Sequence, residues 1–233
     1  VDSRTSEPGG IMHDVMSRAA ENLGWDLVYT EEAQWATMIQ TVENGRADIV
    51  VSGIWPSSQR ATRAAFTEAV YFSPVYAYVR ADDSRFDGNL EAANDPGVRI
   101  GALDGELSAI IAASDYPEAQ MVALPQGQDV SQLLLELATD KADITFVEPA
   151  IAQAYMEANP GALKRVESVP PVRVFPNTLL APIDEPELLR ALNVAIEEMH
   201  SSGAVDAILS RYDENGTLFL RAAAPYRVDE ANN

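Results

Sequence analysis

Two guanidiniums, Arg60 and Arg63, stand three residues apart in "VSGIWPSSQRATRAAFTEAVYFSPV", residues 51–75, within a chain that carries 16 basic and 36 acidic side chains. A guanidinium presents two parallel donors matched to a carboxylate, so one arginine on a loop can fix an anionic ligand bidentately. The ordinary alternative is a surface charge paired with an acidic neighbour, which is worth little. Trp55 in the same stretch offers a flat wall that can receive a cation. In "GALDGELSAII" Gly105 leads into a predicted helix start, whose N–H groups and dipole favour an anion, although a glycine there is common. Glu148 precedes Pro149 at another predicted helix start, where a glutamate complements the helix dipole. Glu148 or Glu106 would serve as a general acid only if an enclosed site raised its pKa. His13 and His200 lie on separate predicted helices with no second ligand at i+4, so no metal site is read, and no cofactor is expected. A G-x-S-x-G elbow and a phosphate loop are both missing, which leaves a serine nucleophile unsupported. Cysteine is absent, which removes disulfides, thiolate metal sites and cysteine nucleophiles together.

These side chains need elements to position them. "GIMHDVMSRAAENL" sets Ile11, Val15, Ala19 and Leu23 four residues apart, with Gly24 where a C-cap belongs, and predicts a helix. "WDLVYT" reads as a short strand, and "AQWATMIQTVENG" places Trp35, Met38, Ile39 and Val42 at helical spacing before Gly45 stops it. "ADIVVSG" is a continuous apolar run of strand length, as for a strand covered on both faces. Strand alternating with helix predicts a mostly parallel sheet and an α/β fold.

The polar, turn-rich segment "RADDSRFDGNLEAANDP" then lets the chain enter a second unit. "VRIGAL", "QMVALP" and "ADITFV" read as strands, with "ELSAIIAA" and "DVSQLLLELATD" as the helices between them. "GRADIVVSG" and "DKADITFVE" share Ala-Asp-Ile, each after an amphipathic helix and each opening a strand, so two similarly built lobes are expected. Two further helices, "EPELLRALNVAIEEMHSSG" and "AVDAILSRY", return most simply to the first lobe.

A length of 233 residues suffices for a sizeable core, and 47% hydrophobic against 22% charged residues describes a globular chain, not a disordered one. The formal charge of −20 opposes any broad hold on nucleic acid, and its plain reading is solubility. No apolar run approaches the roughly 18 residues a membrane span needs. The opening "VDSRTSEPGG" contains no secretory signal, so the chain is read as either cytoplasmic or already processed.

From Gly10 to about Tyr212 the order of motifs resembles the polar amino-acid-type periplasmic solute-binding proteins, the soluble receptors of ABC importers. Asp14, Gly45, Asp48, Arg60, Phe66, Thr67 and Tyr71 match the family's helix opening, its Gly-Lys-x-Asp strand entry, its Thr-x-x-Arg loop and its Phe-Ser/Thr-x-x-Tyr strand entry. "VRIGALDGELSAII" is similar to its Val-Gly-x-x-x-Gly-[Ser/Thr] turn, and "ADITFVEPAIA" to its Asp-Ala-x-x-x-Asp segment.

The resemblance implies two α/β lobes, residues 1–80 with 179–233 and residues 81–178, joined by crossing strands near Tyr78–Arg80 and Thr178–Ala181. It implies a small zwitterionic or anionic solute, an amino acid or derivative, held in the cleft by hinge closure. The expected partners are that solute and the membrane subunits of an importer, with the chain a monomer in the periplasm, its signal peptide absent and nothing inserted in the membrane. Arg60 matches the carboxylate-binding arginine, Glu148 the ammonium acceptor, and Gly53, Gly105, Glu106 and Ser108 the binding turns. Arg63 has no family counterpart with a ligand role and is read as an ion-pair partner.

Several positions depart from the family. Trp55 replaces the usual Ser or Thr, Leu107 replaces another Ser/Thr, and Met12 replaces the first Asp of the helix opening. Trp35 falls where the family covers the ligand side chain, and equally where a core residue would fall. The family's usual opening strand is missing before Gly10, whereas "TLFLRAAAPYRV" has its flavour. A truncated start or a rearranged chain whose last strand fills the first strand's slot would account for this, and the second alternative puts Tyr226 beside the cleft. The chain is read as a binder, not an enzyme; a cyclohexadienyl dehydratase-like enzyme and a ligand-sensing domain are the alternatives.

Overall fold

The structure is a computed structural model and describes residues 8–30, 37–126 and 128–222. Trp35 and Tyr226 lie outside the described residues. In chain order the elements are α1 (Ile11–Leu23), α2 (Met38–Glu43), β1 (Val50–Ile54), α3 (Ser58–Ala61), β2 (Ala64–Phe66) and β3 (Tyr71–Arg80). A 3-10 turn at Leu90–Ala93 precedes β4 (Arg99–Leu103), α4 (Leu107–Asp115), β5 (Gln120–Leu124), α5 (Ser131–Ala138), β6 (Ile144–Val147), α6 (Pro149–Ala158) and β7 (Leu163–Arg165). The last elements among the described residues are β8 (Arg173–Pro182), α7 (Pro186–Ser201), α8 (Ala204–Tyr212) and β9 (Leu220–Arg221). It divides into two units, residues 1–73 with 175–233 and residues 74–174, so β3 and β8 are the strands that run from one into the other.

Unit 1 is built on helices with one apolar stripe each. On α1 the stripe is Met12, Val15, Met16, Ala19 and Ala20, and Gly24 ends the helix in the left-handed conformation, its N–H bonded to the carbonyls of Ala20 and Glu21. On α7 it is Leu192, Ala195, Ile196 and Met199, and on α8 Val205, Ile208 and Leu209. The three stripes meet in one core with Val70, Tyr71 and Leu179. A second cluster joins Met38 and Val42 of α2 to Val50, Ile54, Ala64 and Leu180. In the sheet, β1 and β2 both pair antiparallel with β8, Val50 opposite Leu180 and Ala64 opposite Pro182. The tail returns here: β9 pairs with the start of β3, Tyr71 opposite Arg221, and the buried Asp213 accepts the N–H groups of Thr217, Leu218 and Phe219 to turn the chain toward it.

One predicted strand is not formed. Residues 25–30, "WDLVYT", carry no strand, with Val28 76% exposed. A strand exists only through a ladder partner, and among the described residues none pairs with this segment. Apolar β-branched composition alone does not make a strand.

Unit 2 has the parallel pairing that its alternating pattern predicts. β4 runs parallel to β5 over Arg99–Leu103 and to β6 at Ile100 and Gly101, while β3 is antiparallel to β6 and β7. α5 contributes Leu133, Leu134 and Leu137 to a core with Tyr78, Leu103, Val147 and Leu163. Where β6 begins, Asp143 is buried and accepts from Arg99 through its backbone N–H (2.8 Å) and Nε (2.9 Å) and from Arg85 Nη2 (2.9 Å). Burial works against its ionisation, yet the bonds from Arg99 and Arg85 prevail and hold the carboxyl far below the usual carboxylate range.

Candidate functional site

The unit 1 site forms where β1 ends. Pro56 cannot extend the ladder, and Ser57 caps the short α3 by accepting the Arg60 N–H on its hydroxyl at 3.2 Å. That turn carries Arg60 back over the strand end, where Nη1 donates to the Trp55 carbonyl at 2.8 Å. One corner of the guanidinium is thereby anchored, and among the described residues its other donors meet no partner. Among the described residues no carboxylate lies within ion-pair distance of Arg60. The other half-buried arginines all have one: Arg80 with Asp140 and Asp143, Arg99 with the same pair, Arg173 with Asp115 and Arg221 with Asp206. In so acidic a chain an arginine without a carboxylate, half withdrawn from water, is suited to an anion from outside.

Arg63 contrasts with it. Its Nε and Nη2 reach both oxygens of Glu43 at 2.8 and 2.5 Å, a fork-to-carboxylate pair that raises its pKa. The ion pair expected of Arg63 is therefore formed.

Trp55 stacks on Phe175 with ring centroids 4.2 Å apart and planes 9° from parallel, both side chains half-buried. Phe175 was not singled out in the sequence; its partnership depends on β8 lying beside β1, and nothing local announces it. Gly53 has a steric reason: a Cβ there would sit 2.6 Å from Asn177 Oδ1 and 3.2 Å from the Tyr71 hydroxyl. Asn177 Nδ2 in turn donates to Ser73 Oγ at 3.0 Å, and the Thr178 hydroxyl donates to the Ile54 carbonyl at 2.8 Å. Gly53, Trp55 and Arg60 are thus brought together with Phe175 and Asn177.

In unit 2, Gly105 takes φ +76°, the left-handed turn that delivers the chain into α4. Glu106 is the N-cap residue, exposed, with no side-chain cap bond; its carbonyl accepts the N–H groups of Ala109 and Ile110 at 3.1 and 3.2 Å. Ser108 is buried and its hydroxyl accepts the Leu103 N–H at 3.0 Å, closing the turn from within. Glu148 is the half-buried N-cap residue of α6, with Pro149 at the first helical position. An apolar surface hollow of about 520 Å³ lined by Ser131, Ala150, Ile151, Ala154 and Tyr155 contains none of the predicted site residues.

The histidines are engaged within unit 1: His13 Nδ1 lies 3.0 Å from Asp14 Oδ1, and His200 Nε2 donates to the Ala69 carbonyl. Among the described residues no cluster of three or more His, Asp or Glu side chains could hold a metal ion, and no helix is long and apolar enough to cross a membrane.

The chain is α/β and divides into two units, and among the described residues Arg60 has no carboxylate partner. The family model for bacterial extracellular solute-binding proteins, family 3, matches residues 1–215, and the chain belongs to that family. It is 20% identical over 195 residues to an arginine-binding extracellular protein of Bacillus subtilis, covering 83% of this chain and 73% of that protein. A probable histidine-binding protein of Campylobacter jejuni is 19% identical over 205 residues, covering 88% and 76%. Among solved structures it is similar to an ancestral cationic amino acid solute-binding protein (TM-score 0.72, 20% identity, 90% and 88% covered). The unliganded open L-cystine solute receptor of Neisseria gonorrhoeae is comparable (TM-score 0.71, 20% identity, 93% and 87% covered). The fold is that of the two-lobed binding proteins.

Proposed function

We propose that the chain is the substrate-binding component of an ABC importer and captures a small zwitterionic or anionic solute, an amino acid or derivative, by its carboxylate. The observation that carries this reading is Arg60: half-buried, anchored by one corner to the Trp55 carbonyl, and without a carboxylate partner among the described residues. Relatives named for arginine and histidine binding, and a similar solved structure named as the substrate-binding protein of an amino acid ABC transporter, support the solute class and the importer. In this reading Gly53 and Trp55 wall the carboxylate site. The turn at Gly105 and Glu106, braced by Ser108, together with Glu148, belongs to the lobe that covers the solute, and the covered form is the one the importer recognises. Trp35 and Tyr226 stay candidates for the solute's far side. The chain is further proposed to work as a monomer in the periplasm.

Catalysis is the rival reading, since one similar structure is named a precursor of cyclohexadienyl dehydratase. The two separate in a thermal-shift screen of amino acids and their derivatives, followed by recovery of the stabilising compound. Binding at a hundred times Kd adds about 2.7 kcal/mol of stability, and the compound is expected back unchanged. In Arg60→Gln, loss of charge-assisted bonds worth about 1.5–3 kcal/mol lowers affinity tenfold or more. Turnover of the compound, or unchanged affinity in the variant, would refute the reading.

A further inference from the structure

The Arg60 guanidinium is held by a carbonyl, and that carbonyl belongs to a residue held by a ring. Nη1 donates to the Trp55 carbonyl at 2.8 Å, so the place of the guanidinium follows the peptide plane between Trp55 and Pro56. This plane lies just past the last ladder pair of β1, Ile54 opposite Thr178. On its far side the proline ring locks φ at about −65°. On its near side a residue before proline is confined to extended backbone, which narrows the rotation of Trp55 without fixing it. Two side chains of β8 grip the strand end at this point. The Thr178 hydroxyl donates to the Ile54 carbonyl at 2.8 Å, and the Phe175 ring lies flat on the indole, centroids 4.2 Å apart and planes 9° from parallel. All of these residues belong to unit 1. The Phe175 side chain has no polar atom, so it can bond neither the guanidinium nor a carboxylate; whatever it does for an anion it does through Trp55. An arginine side chain has much rotamer freedom to lose, and a guanidinium already held in place binds a carboxylate more tightly than one that must be ordered on contact. The plain alternative is that Phe175 fills space. A leucine would do that nearly as well, whereas flat stacking needs an aromatic ring.

Resting on the carboxylate-binding reading of Arg60, we propose that Phe175 is a positioning residue for that site: stacked on Trp55, it fixes the carbonyl that aims the Arg60 guanidinium at the solute's carboxylate. The test is nuclear magnetic resonance of the arginine Nε–H groups in the full chain, the Arg60 signal being assigned by its loss in Arg60→Gln. The Arg60 order parameter is expected well above roughly 0.6, the level below which a group counts as flexible, in the wild type and in Phe175→Tyr, and below it in Phe175→Leu. Arg63, whose Nε and Nη2 are held by Glu43 at 2.8 and 2.5 Å, is the control and is expected to keep its value in all three. A space-filling role implies no change in Phe175→Leu, and a general loosening would move Arg63 as well; either result overturns the proposal. So does a mobile Arg60 in the wild type, a result that requires no variant to fold. Titration with sodium acetate at constant ionic strength separates the two levels. The Arg60 signal is expected to shift saturably in the wild type and to need about threefold more acetate, or higher, in Phe175→Leu. If acetate leaves the signal in place while Phe175→Leu still frees the guanidinium, the carboxylate reading fails and the proposal falls with it. If acetate binds both proteins equally, the carboxylate reading stands and only the role of Phe175 is lost.

Discussion

Arg60 and Arg63 differ by three positions and by almost everything else. Arg63 is exposed and its fork is filled by Glu43, whereas Arg60 is half-buried, with one donor on a carbonyl and no carboxylate within reach among the described residues. What separates them is the turn: Pro56 ends β1, Ser57 caps α3, and the single helical turn aims residue 60 inward and residue 63 outward. Gly53 is the residue on which that arrangement is most exposed to damage. A methyl group there would lie 2.6 Å from Asn177 Oδ1, far inside contact distance, and β8 would have to yield. Gly53→Ala is expected to cost about 1–3 kcal/mol in denaturant unfolding and to weaken solute binding tenfold or more. Wild-type stability together with wild-type affinity would contradict the geometry described.

At the level of elements, the two Ala-Asp-Ile motifs diverge in use. Asp48 ahead of β1 is exposed, while Asp143 ahead of β6 is buried between β4 and the segment after β3, held by Arg85 and Arg99 with Arg80 at 3.5 Å. Removing one partner of a buried charged cluster leaves the others uncompensated, so Asp143→Asn is expected to lower stability by up to about 3 kcal/mol at neutral pH. The folded-state pKa of Asp143 is depressed, so its contribution is full above the carboxyl's unfolded value of about 3.9 and is lost as pH falls below it toward the folded value. Acid unfolding followed by circular dichroism should therefore show a shallower loss of stability below about pH 4 in Asp143→Asn than in the wild type. Parallel curves would contradict the assignment.

Much of this was legible in the sequence. The stripes of α1, α7 and α8, the left-handed stop at Gly24 and the strands β1, β4, β5 and β6 all follow from local periodicity and caps, because each rests on residues a few positions apart. "WDLVYT" was misread because a strand is a property of two segments and local composition describes one. Within the site, Arg60 and Trp55 could be picked out by residue type and by their place in a family pattern. Phe175, Asn177 and the reason for Gly53 could not, since each depends on β8, which pairs with β1 across more than a hundred residues of chain.

Across the whole molecule, a formal charge of −20 sets a field that favours neutral or cationic solutes, while the one half-buried arginine without a carboxylate among the described residues supplies the local exception that an anionic end requires. The chain passes between its units twice, at Ser73/Pro74 and Val174/Phe175. The tail comes back to unit 1 through β9, where Phe219 meets Tyr71 edge-on at 5.1 Å and Arg221 pairs with Asp206. A crystal structure of the chain with its solute bound tests the central claim most directly. The account predicts the solute's carboxylate on the Arg60 guanidinium, with Nη1 still on the Trp55 carbonyl; a solute held elsewhere, with the Arg60 side chain turned to bulk water, would contradict it.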